Sequence, residues 1–198
     1  MKDRIKCVII GDTLVGKTCM LSVLVDKVFP RGYVPQTVFK QFTSNLMIDK
    51  ESALLDLRDT AGAQEYDRLR PLSYPGADVF IVVFAVPSDV KHSNVVDRWL
   101  PEIRHHCPEV PFILVGNKTD LRESDAATKS TAKLGLNAVS KLDGEKLALE
   151  LEAIGYLECS ALMEDGVTEV FDAAVRAARE SREPSPKPRA ASSKCCVS

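Results

Sequence analysis

Apolar and polar positions divide most of this chain into short strand-like runs and longer helical patterns. Continuous apolar runs are typical of parallel strands covered on both faces, whereas apolar residues recurring every three or four positions indicate helices. The pattern predicts strands at 5–10, 42–48, 53–57, 79–84, 112–115 and 156–159, and helices at 17–25, 93–107, 143–154 and 167–178. This alternation predicts an α/β fold: a mostly parallel six-stranded sheet with helices on both faces and ligands at the carboxyl ends of its strands.

Prolines mark where the regular pattern is interrupted. Pro101 lies inside the second predicted helix, where we expect it to cause a kink. Prolines and a glycine exclude regular structure at 29–37. From residue 183 the composition changes to Pro, Ser, Lys and Arg, which is typical of a disordered segment. We therefore predict one domain over 1–182 and a disordered tail over 183–198.

Composition narrows the class of protein. A chain of 198 residues can bury a sizeable core without metals or disulfides. A net charge of -2 gives no reason to expect nucleic acid as a partner. Four cysteines of the domain lack metal-ligand spacing and are interpreted as buried thiols in a reducing compartment; they are Cys7, Cys19, Cys107 and Cys159. No apolar run resembles a signal peptide or is long enough to span a membrane, so we expect a cytosolic protein unless something attaches it elsewhere.

A glycine-containing loop between the first strand and the first helix matches the pattern G-x-x-x-x-G-K-[ST]. Backbone N–H groups at a helix N-terminus form a concave site for phosphate, and a lysine and a hydroxyl add contacts to the phosphates and to Mg²⁺. A chance match in a glycine turn is the alternative, but the strand before and the helix after argue against it. The loop comprises Gly11, Asp12, Thr13, Leu14, Val15, Gly16, Lys17 and Thr18, followed in the helix by Cys19.

The sequence Asn117-Lys118-Thr119-Asp120 follows the fifth predicted strand and indicates which base is bound. Guanine presents two adjacent donors that one carboxylate, Asp120, can accept, whereas adenine offers an acceptor that would repel it. Asn117 would tie this loop to the phosphate loop, and the Lys118 stem would cover the base. The segment Ser160, Ala161 and Leu162, after the last strand, would supply a backbone N–H for the guanine oxygen. Alone, this motif could be a helix cap or a turn; beside a phosphate loop it favours guanine.

These residues resemble the small GTPases, and specifically the Rho family, over the whole chain. Rho-like segments occur at 67–75, 104–108 and 158–162, and the stretch between Asp120 and Gly144 has the length of the Rho insert helix, although its residues diverge. The resemblance implies GTP or GDP and Mg²⁺ as ligands. It implies that Phe29, with Tyr33 nearby, packs at the nucleotide, that Thr18, Thr37 and Asp59 hold Mg²⁺, and that the Gly62 N–H senses the γ-phosphate. The two loops around Thr37 and Gly62 would be ordered by the γ-phosphate and released on hydrolysis.

The resemblance also implies partners and a location. A monomer is expected to bind effector proteins through these two switch loops and to meet exchange factors, GTPase-activating proteins and a GDP-dissociation inhibitor. The final residues Cys195-Cys196-Val197-Ser198 fit a C-a-a-X motif, in which Ser favours a farnesyl group on Cys195. We therefore expect reversible attachment to the cytoplasmic face of a membrane, with the plasma membrane as the expected site, and action on the actin cytoskeleton by family analogy alone.

Two departures from the family concern hydrolysis. Most relatives have Gly at the position of Thr13, where a β-branched side chain would crowd the attacking water and an incoming arginine finger. Most also have a water-orienting Gln at the position of Ala63, and a methyl group cannot hold a water. Gln64 is next in the chain, but a shift of one residue normally points a side chain elsewhere. The catalytic positions to compare with the family are Thr13, Lys17, Thr37, Ala63 and Gln64. Losing access for an arginine finger alone forfeits on the order of 10³–10⁵ in rate.

Three further departures concern partners. Gln36 is an apparent one-residue insertion beside Thr37, which affects the expected metal geometry. Lys40 stands where Rac-like members commonly have Asp, and Arg58 replaces an aromatic residue used in exchange-factor choice; each could instead be ordinary solvated surface. The pair His105-His106 could be a metal site, but polar residues near a helix C-terminus are ordinary.

Two functional hypotheses follow. The chain is either a GTPase that cycles with helper proteins, or a binding module that stays GTP-bound and recruits effectors. Thr13 and Ala63 favour the second, while the intact nucleotide and metal residues allow the first. A P-loop kinase or ATPase is opposed by the motif at 117–120 and by the prenylation motif.

Overall fold

A computed structural model describes residues 3–35, 37–87, 94–122 and 138–182. Its strands are β1 (Asp3–Gly11), β2 (Phe39–Ile48), β3 (Glu51–Thr60), β4 (Val79–Ala85), β5 (Phe112–Asn117) and β6 (Tyr156–Glu158). Its α-helices are α1 (Lys17–Asp26), α2 (Leu100–His106), α3 (Lys141–Glu150) and α4 (Val167–Arg182). Predictions for Gln36, for most of the Rho-like insert, and for the tail with Cys195 lie outside the described residues.

The six strands form one sheet in the order β2-β3-β1-β4-β5-β6. Only the β2–β3 pair among them is antiparallel. These two strands are joined at Asp49 and Lys50, which both adopt left-handed backbone conformations (φ 53° and 68°), as a tight hairpin turn requires. The predicted α/β fold with a mostly parallel sheet is confirmed, and the loops that follow β1, β3, β5 and β6 meet at one edge.

The core lies on both faces of the sheet. On one face, α1 and α4 pack against alternate residues of the central strands, such as Ile5, Ile9 and Ile81. On the other face, α2, the turn before it and α3 cover Val8, Phe80 and other residues of the same strands. A strand covered on both faces must be apolar at every position, which explains the continuous runs in the sequence.

The second predicted helix is divided into two parts. Residues Val95–Trp99 form a π-helical turn, and α2 begins directly after it at Leu100. Pro101 therefore lies in the first turn of α2, directly after the π-helical turn, at whose end the Leu100 N–H donates to Val95 O. The change of helix type precedes the proline. At the end of α2, the His106 ring packs edge-to-face on the Tyr74 ring.

Two sequence predictions need correction. The helix predicted over 143–154 ends at Glu150, and Glu152 is left-handed (φ 58°), which terminates the helical geometry. Of the four cysteines, Cys7 and Cys159 are buried, but Cys19 and Cys107 are only half-buried. Burial raises the pKa of Cys7 and Cys159, which keeps them as unreactive thiols. Within the described ranges, no helix is long and apolar enough to cross a membrane.

Candidate functional site

A cavity of about 680 Å³ opens at the carboxyl edge of the parallel strands. Most of the residues predicted to bind nucleotide line it: Thr13, Leu14, Gly16, Lys17, Thr18, Cys19, Phe29, Tyr33, Thr37, Gly62, Asn117, Lys118, Asp120, Ala161 and Leu162. Loops from four separate strand ends therefore meet around one space, as expected for a ligand site of a parallel sheet.

The phosphate loop joins β1 to α1 with two left-handed residues. Leu14 has φ 66° and Gly16 has φ 96°, so backbone conformations alternate as in an anion-binding nest. A Cβ at Gly16 would lie 2.3 Å from Asn117 Nδ2, so only glycine allows the neighbouring loop to approach this closely. Leu14 is highly exposed, so burial of its side chain does not compensate for the unfavourable left-handed backbone. Backbone strain of this kind is associated with functional sites.

Lys17 lies at the start of α1, with its ammonium group inside the loop. Its Nζ donates to the carbonyl oxygens of Gly11 and Asp12, both at 2.8 Å. Burial lowers the pKa of Lys17 to about 8, although the carboxylates of Asp59 and Asp12 oppose this shift. A phosphate group in the loop would add the negative charge that favours the protonated lysine.

The base side of the cavity is held by side-chain hydrogen bonds. Asn117 Nδ2 donates to Val15 O at 2.8 Å, which is the predicted tie to the phosphate loop. The Asp120 carboxylate accepts from the Ser160 hydroxyl at 2.5 Å, which orients Asp120 at the cavity wall. A carboxylate fixed in this way could accept the two adjacent donors of a guanine.

The segment after β6 was predicted to offer a backbone N–H to the guanine oxygen, and the structure corrects this for part of the segment. The N–H of Ser160 donates to Asp165 O at 2.9 Å and does not face the cavity, so its contribution is the hydroxyl that holds Asp120. Ala161 lines the cavity, but its N–H donates to Asn117 Oδ1 at 3.2 Å. Leu162 also lines the cavity and is half exposed.

An ion pair joins the two base-side loops behind the cavity. Arg122, just after Asp120, donates through Nη1 to Glu158 Oε2 at 2.9 Å and through Nη2 to the other carboxylate oxygen. Tyr156 also donates to Glu158, at 2.8 Å. This two-pronged pair fixes the spacing between the residues that precede Ser160 and those that follow Asp120.

The three predicted metal residues lie together beneath the phosphate loop. Asp59 Oδ2 accepts from Thr18 Oγ1 at 2.6 Å and from Thr37 Oγ1 at 3.0 Å. Burial raises the pKa of Asp59, although these hydroxyl donors and Lys17 oppose the shift. Asp59 Oδ1 is buried, and among the described residues it has no hydrogen-bond partner. Two hydroxyls and a carboxylate with an unpaired oxygen fit Mg²⁺, which prefers oxygen ligands and keeps several waters.

On the γ-phosphate side, only some of the predicted catalytic positions line the cavity. Thr13 and Gly62 line it, whereas Ala63 and Gln64 are absent from its lining. Gln64 is exposed and begins a short 3₁₀ turn, Gln64–Tyr66. The structure therefore does not place the Gln64 side chain at the wall where the missing glutamine would act.

Sequence reasoning missed four lining residues: Val34, Pro35, Thr60 and Leu121. Thr60 directly follows Asp59, and its hydroxyl donates to Ile9 O at 2.7 Å. Val34 and Pro35 lie between the predicted residues Tyr33 and Thr37, and Leu121 follows Asp120, so proximity in sequence was the available signal.

Of the two substitutions that concern partners, Arg58 is not solvated surface. Its guanidinium pairs with the buried Asp56 carboxylate at 2.9 Å and lies over the Phe39 ring, and its side chain is 18% exposed. Lys40 is exposed, with Nζ 4.5 Å from the centre of the Phe42 ring. The interpretation of Arg58 as a solvated side chain is therefore wrong, because Asp56 and Phe39 hold it against β2 and β3.

Comparison with known families agrees with this geometry. The model of the Ras family matches residues 6–180, which is most of the chain. Proteins of this family bind guanine nucleotide and Mg²⁺ and act as GTPase switches. The phosphate loop, the motif at 117–120 and the Thr18–Asp59 pair all lie within the match. The chain therefore belongs to the Ras family of small GTPases.

Proposed function

We propose that this chain is a Rho-type small GTPase that binds GTP firmly, hydrolyses it slowly, and acts mainly as a GTP-bound module that recruits effector proteins. The observation that carries the proposal is the composition of the cavity wall around the γ-phosphate position. Thr13 stands at this wall, and neither Ala63 nor Gln64 reaches it.

Hydrolysis needs a group that orients the attacking water beside the γ-phosphate. The methyl group of Ala63 has neither a donor nor an acceptor. Gln64 has both, but its side chain lies in the exposed turn outside the cavity lining. Thr13 adds bulk where an arginine from an activating protein would enter. Both the intrinsic and the stimulated reaction should therefore be slow.

Normal cycling between GTP and GDP is the alternative. The arrangement of Lys17, Thr18 and Asp59 supports it, because Lys17 lies in the phosphate loop and Thr18 contacts Asp59, as a phosphate and metal site would require. A group from an activating protein could then replace the missing glutamine.

The Rho-type assignment rests on the Rho-like segments of the sequence. An exposed apolar surface near the two switch loops suits effector binding; it includes Val38, Phe39, Leu69 and Leu72. Attachment to the cytoplasmic face of a membrane through a prenyl group on Cys195, and action on the actin cytoskeleton, belong to the same proposal and rest on sequence alone.

The test is the nucleotide that the protein carries. The full chain is purified from cells without added nucleotide and denatured, and the released nucleotides are separated by chromatography. We expect GTP to predominate, and a Lys17→Ala control to carry little of either nucleotide. Predominance of GDP would support the cycling alternative, and absence of guanine nucleotide from the wild type would overturn the binding assignment.

A further inference from the structure

Two arginines outside the cavity hold consecutive peptide groups of the loop after β3. Arg70 Nη1 donates to Ala61 O at 2.8 Å, and Arg98 Nη1 donates to Gly62 O at 3.0 Å. The first of these peptide groups contains the N–H of Gly62. Neither arginine lines the cavity, so both act on Gly62 from behind.

The same two arginines are joined to each other through shared partners. Asp67 Oδ1 accepts from Arg70 at 2.7 Å and from Arg98 at 2.5 Å. Both guanidinium groups lie over the Trp99 ring, with their carbon atoms 4.5 and 4.3 Å from its centre. Arg70 is also held by a bidentate pair with Glu102. The position of each guanidinium is thus fixed by several contacts.

Gly62 lies directly against the phosphate loop. A Cβ placed on Gly62 would be 2.4 Å from both the carbonyl carbon of Asp12 and the nitrogen of Thr13. A small rotation of the peptide groups around Gly62 would therefore change the wall next to the terminal phosphate of GTP.

The Trp99 segment also contacts the phosphate loop itself. Asp12 Oδ1 accepts from Trp99 Nε1 at 3.1 Å and from Asn94 Nδ2 at 2.8 Å, and Arg98 Nη1 lies 4.0 Å away. One π-helical turn, Val95–Trp99, thereby links the phosphate loop to the Gly62 loop. The geometry is that of a rigid connection between two parts of the phosphate site.

We propose that Arg98 and Arg70 are positioning residues that aim the Gly62 N–H at the terminal phosphate and so set the relative affinity of this protein for GTP and GDP. The proposal rests on the nucleotide site described under the proposed function. A cationic donor on the Ala61 carbonyl also polarises that peptide group, which makes the Gly62 N–H a stronger donor.

One donor of Arg98 is not satisfied by these contacts. Its Nε is buried, and within the described parts of the chain it has no hydrogen-bond partner. Such an unpaired donor costs free energy, so the side chain is not optimised for stability alone. Arg98 contacts the backbone at Gly62 through its bond to Gly62 O.

Arg98→Gln tests the proposal, because Arg70 is fully buried and its removal would leave the Glu102 carboxylate with the Tyr74 hydroxyl but without its cationic partner. The measurements are the dissociation constants of GDP and of a non-hydrolysable GTP analogue, each with Mg²⁺. We expect GDP affinity to stay near that of the wild type and the preference for the analogue to fall about tenfold, a usual size for coupling between sites. Arg98→Lys keeps the positive charge and one donor, so it should restore part of the preference.

Arg104→Gln is the matched control, since Arg104 lies on α2 but pairs with Glu152 away from the cavity. It should leave the preference unchanged. An unchanged preference in Arg98→Gln, or an equal loss of both nucleotides, would overturn the positioning role. Failure of the wild type to bind either nucleotide would instead overturn the proposed function.

Discussion

On the side of the cavity where guanine would lie, polar side chains are held by other protein groups, whereas on the side of the terminal phosphate the described lining includes Thr13 and Gly62 but neither Ala63 nor Gln64. Asn117 and Asp120 are each fixed by a hydrogen bond from or to a neighbouring loop. Ala63 has only a methyl group, and Gln64 is exposed. On our proposal, nucleotide binding and hydrolysis are therefore separable, because the predicted binding residues line the cavity whereas Ala63 and Gln64 do not.

The largest expected effect is on the rate of GTP hydrolysis, when the residues common in the family are placed at positions 13 and 63. Thr13→Gly combined with Ala63→Gln returns the space and the water-orienting amide. With an activating protein of the Rho family, we expect phosphate release to rise by roughly 10³ or more over the wild type. The measurement is single-turnover release of phosphate from preloaded GTP.

Gln64→Ala is the control for this experiment. Because Gln64 lies outside the cavity lining, its removal should leave the wild-type rate unchanged. If Gln64→Ala lowers the hydrolysis rate further, Gln64 replaces the missing glutamine. The terminal-phosphate side of the cavity would then have a water-orienting group, contrary to our proposal.

A smaller effect, on the free energy of unfolding, is expected from substitution of Glu158 on the guanine side of the cavity. Burial alone would raise the pKa of Glu158, but hydrogen bonds from Arg122 and Tyr156 outweigh it and lower the pKa below the ordinary 4.5. The resulting stabilisation is present above that ordinary value and is lost as the pH falls through the lowered pKa. Glu158→Gln should therefore cost about 1–2 kcal/mol of unfolding free energy at neutral pH.

Thermal unfolding at several pH values checks this prediction. The difference in unfolding free energy between wild type and Glu158→Gln should shrink steadily once the pH falls below the ordinary glutamate pKa of 4.5. Glu152→Gln is a suitable control, because Glu152 is 79% exposed in its pair with Arg104 and should matter little. A difference that does not change with pH would show that the Glu158 charge is not what stabilises the loops.

The sheet was predictable because each strand carries its own signal. Continuous apolar runs identify β1, β4 and β5, and the phosphate-loop motif is local to one strand and one helix. The ends of some strands were less well predicted: β3 extends to Thr60, because its antiparallel ladder with β2 continues to Thr60 and its parallel ladder with β1 continues to Asp59. That extension depends on a partner strand and cannot be read from the apolar pattern of β3 alone.

The contacts behind the site were not predictable from the sequence. Arg98 contacts Gly62 across 36 positions of the chain, and Ser160 contacts Asp120 across 40. Neither spacing has a local signature, and both contacts depend on how the strands are ordered. The π-helical turn Val95–Trp99 was likewise predicted only as part of a longer helix, because a 3.6-residue pattern does not reveal such a short change of pitch.

The most direct test of the central claim is single-turnover hydrolysis by the wild-type protein preloaded with GTP, with and without an activating protein of the Rho family. Released phosphate and nucleotide still bound are followed in the same sample. We expect GTP to remain bound while phosphate release is slow in both conditions. Release at the rate of an ordinary small GTPase in either condition would contradict the claim that this protein binds GTP without efficiently hydrolysing it.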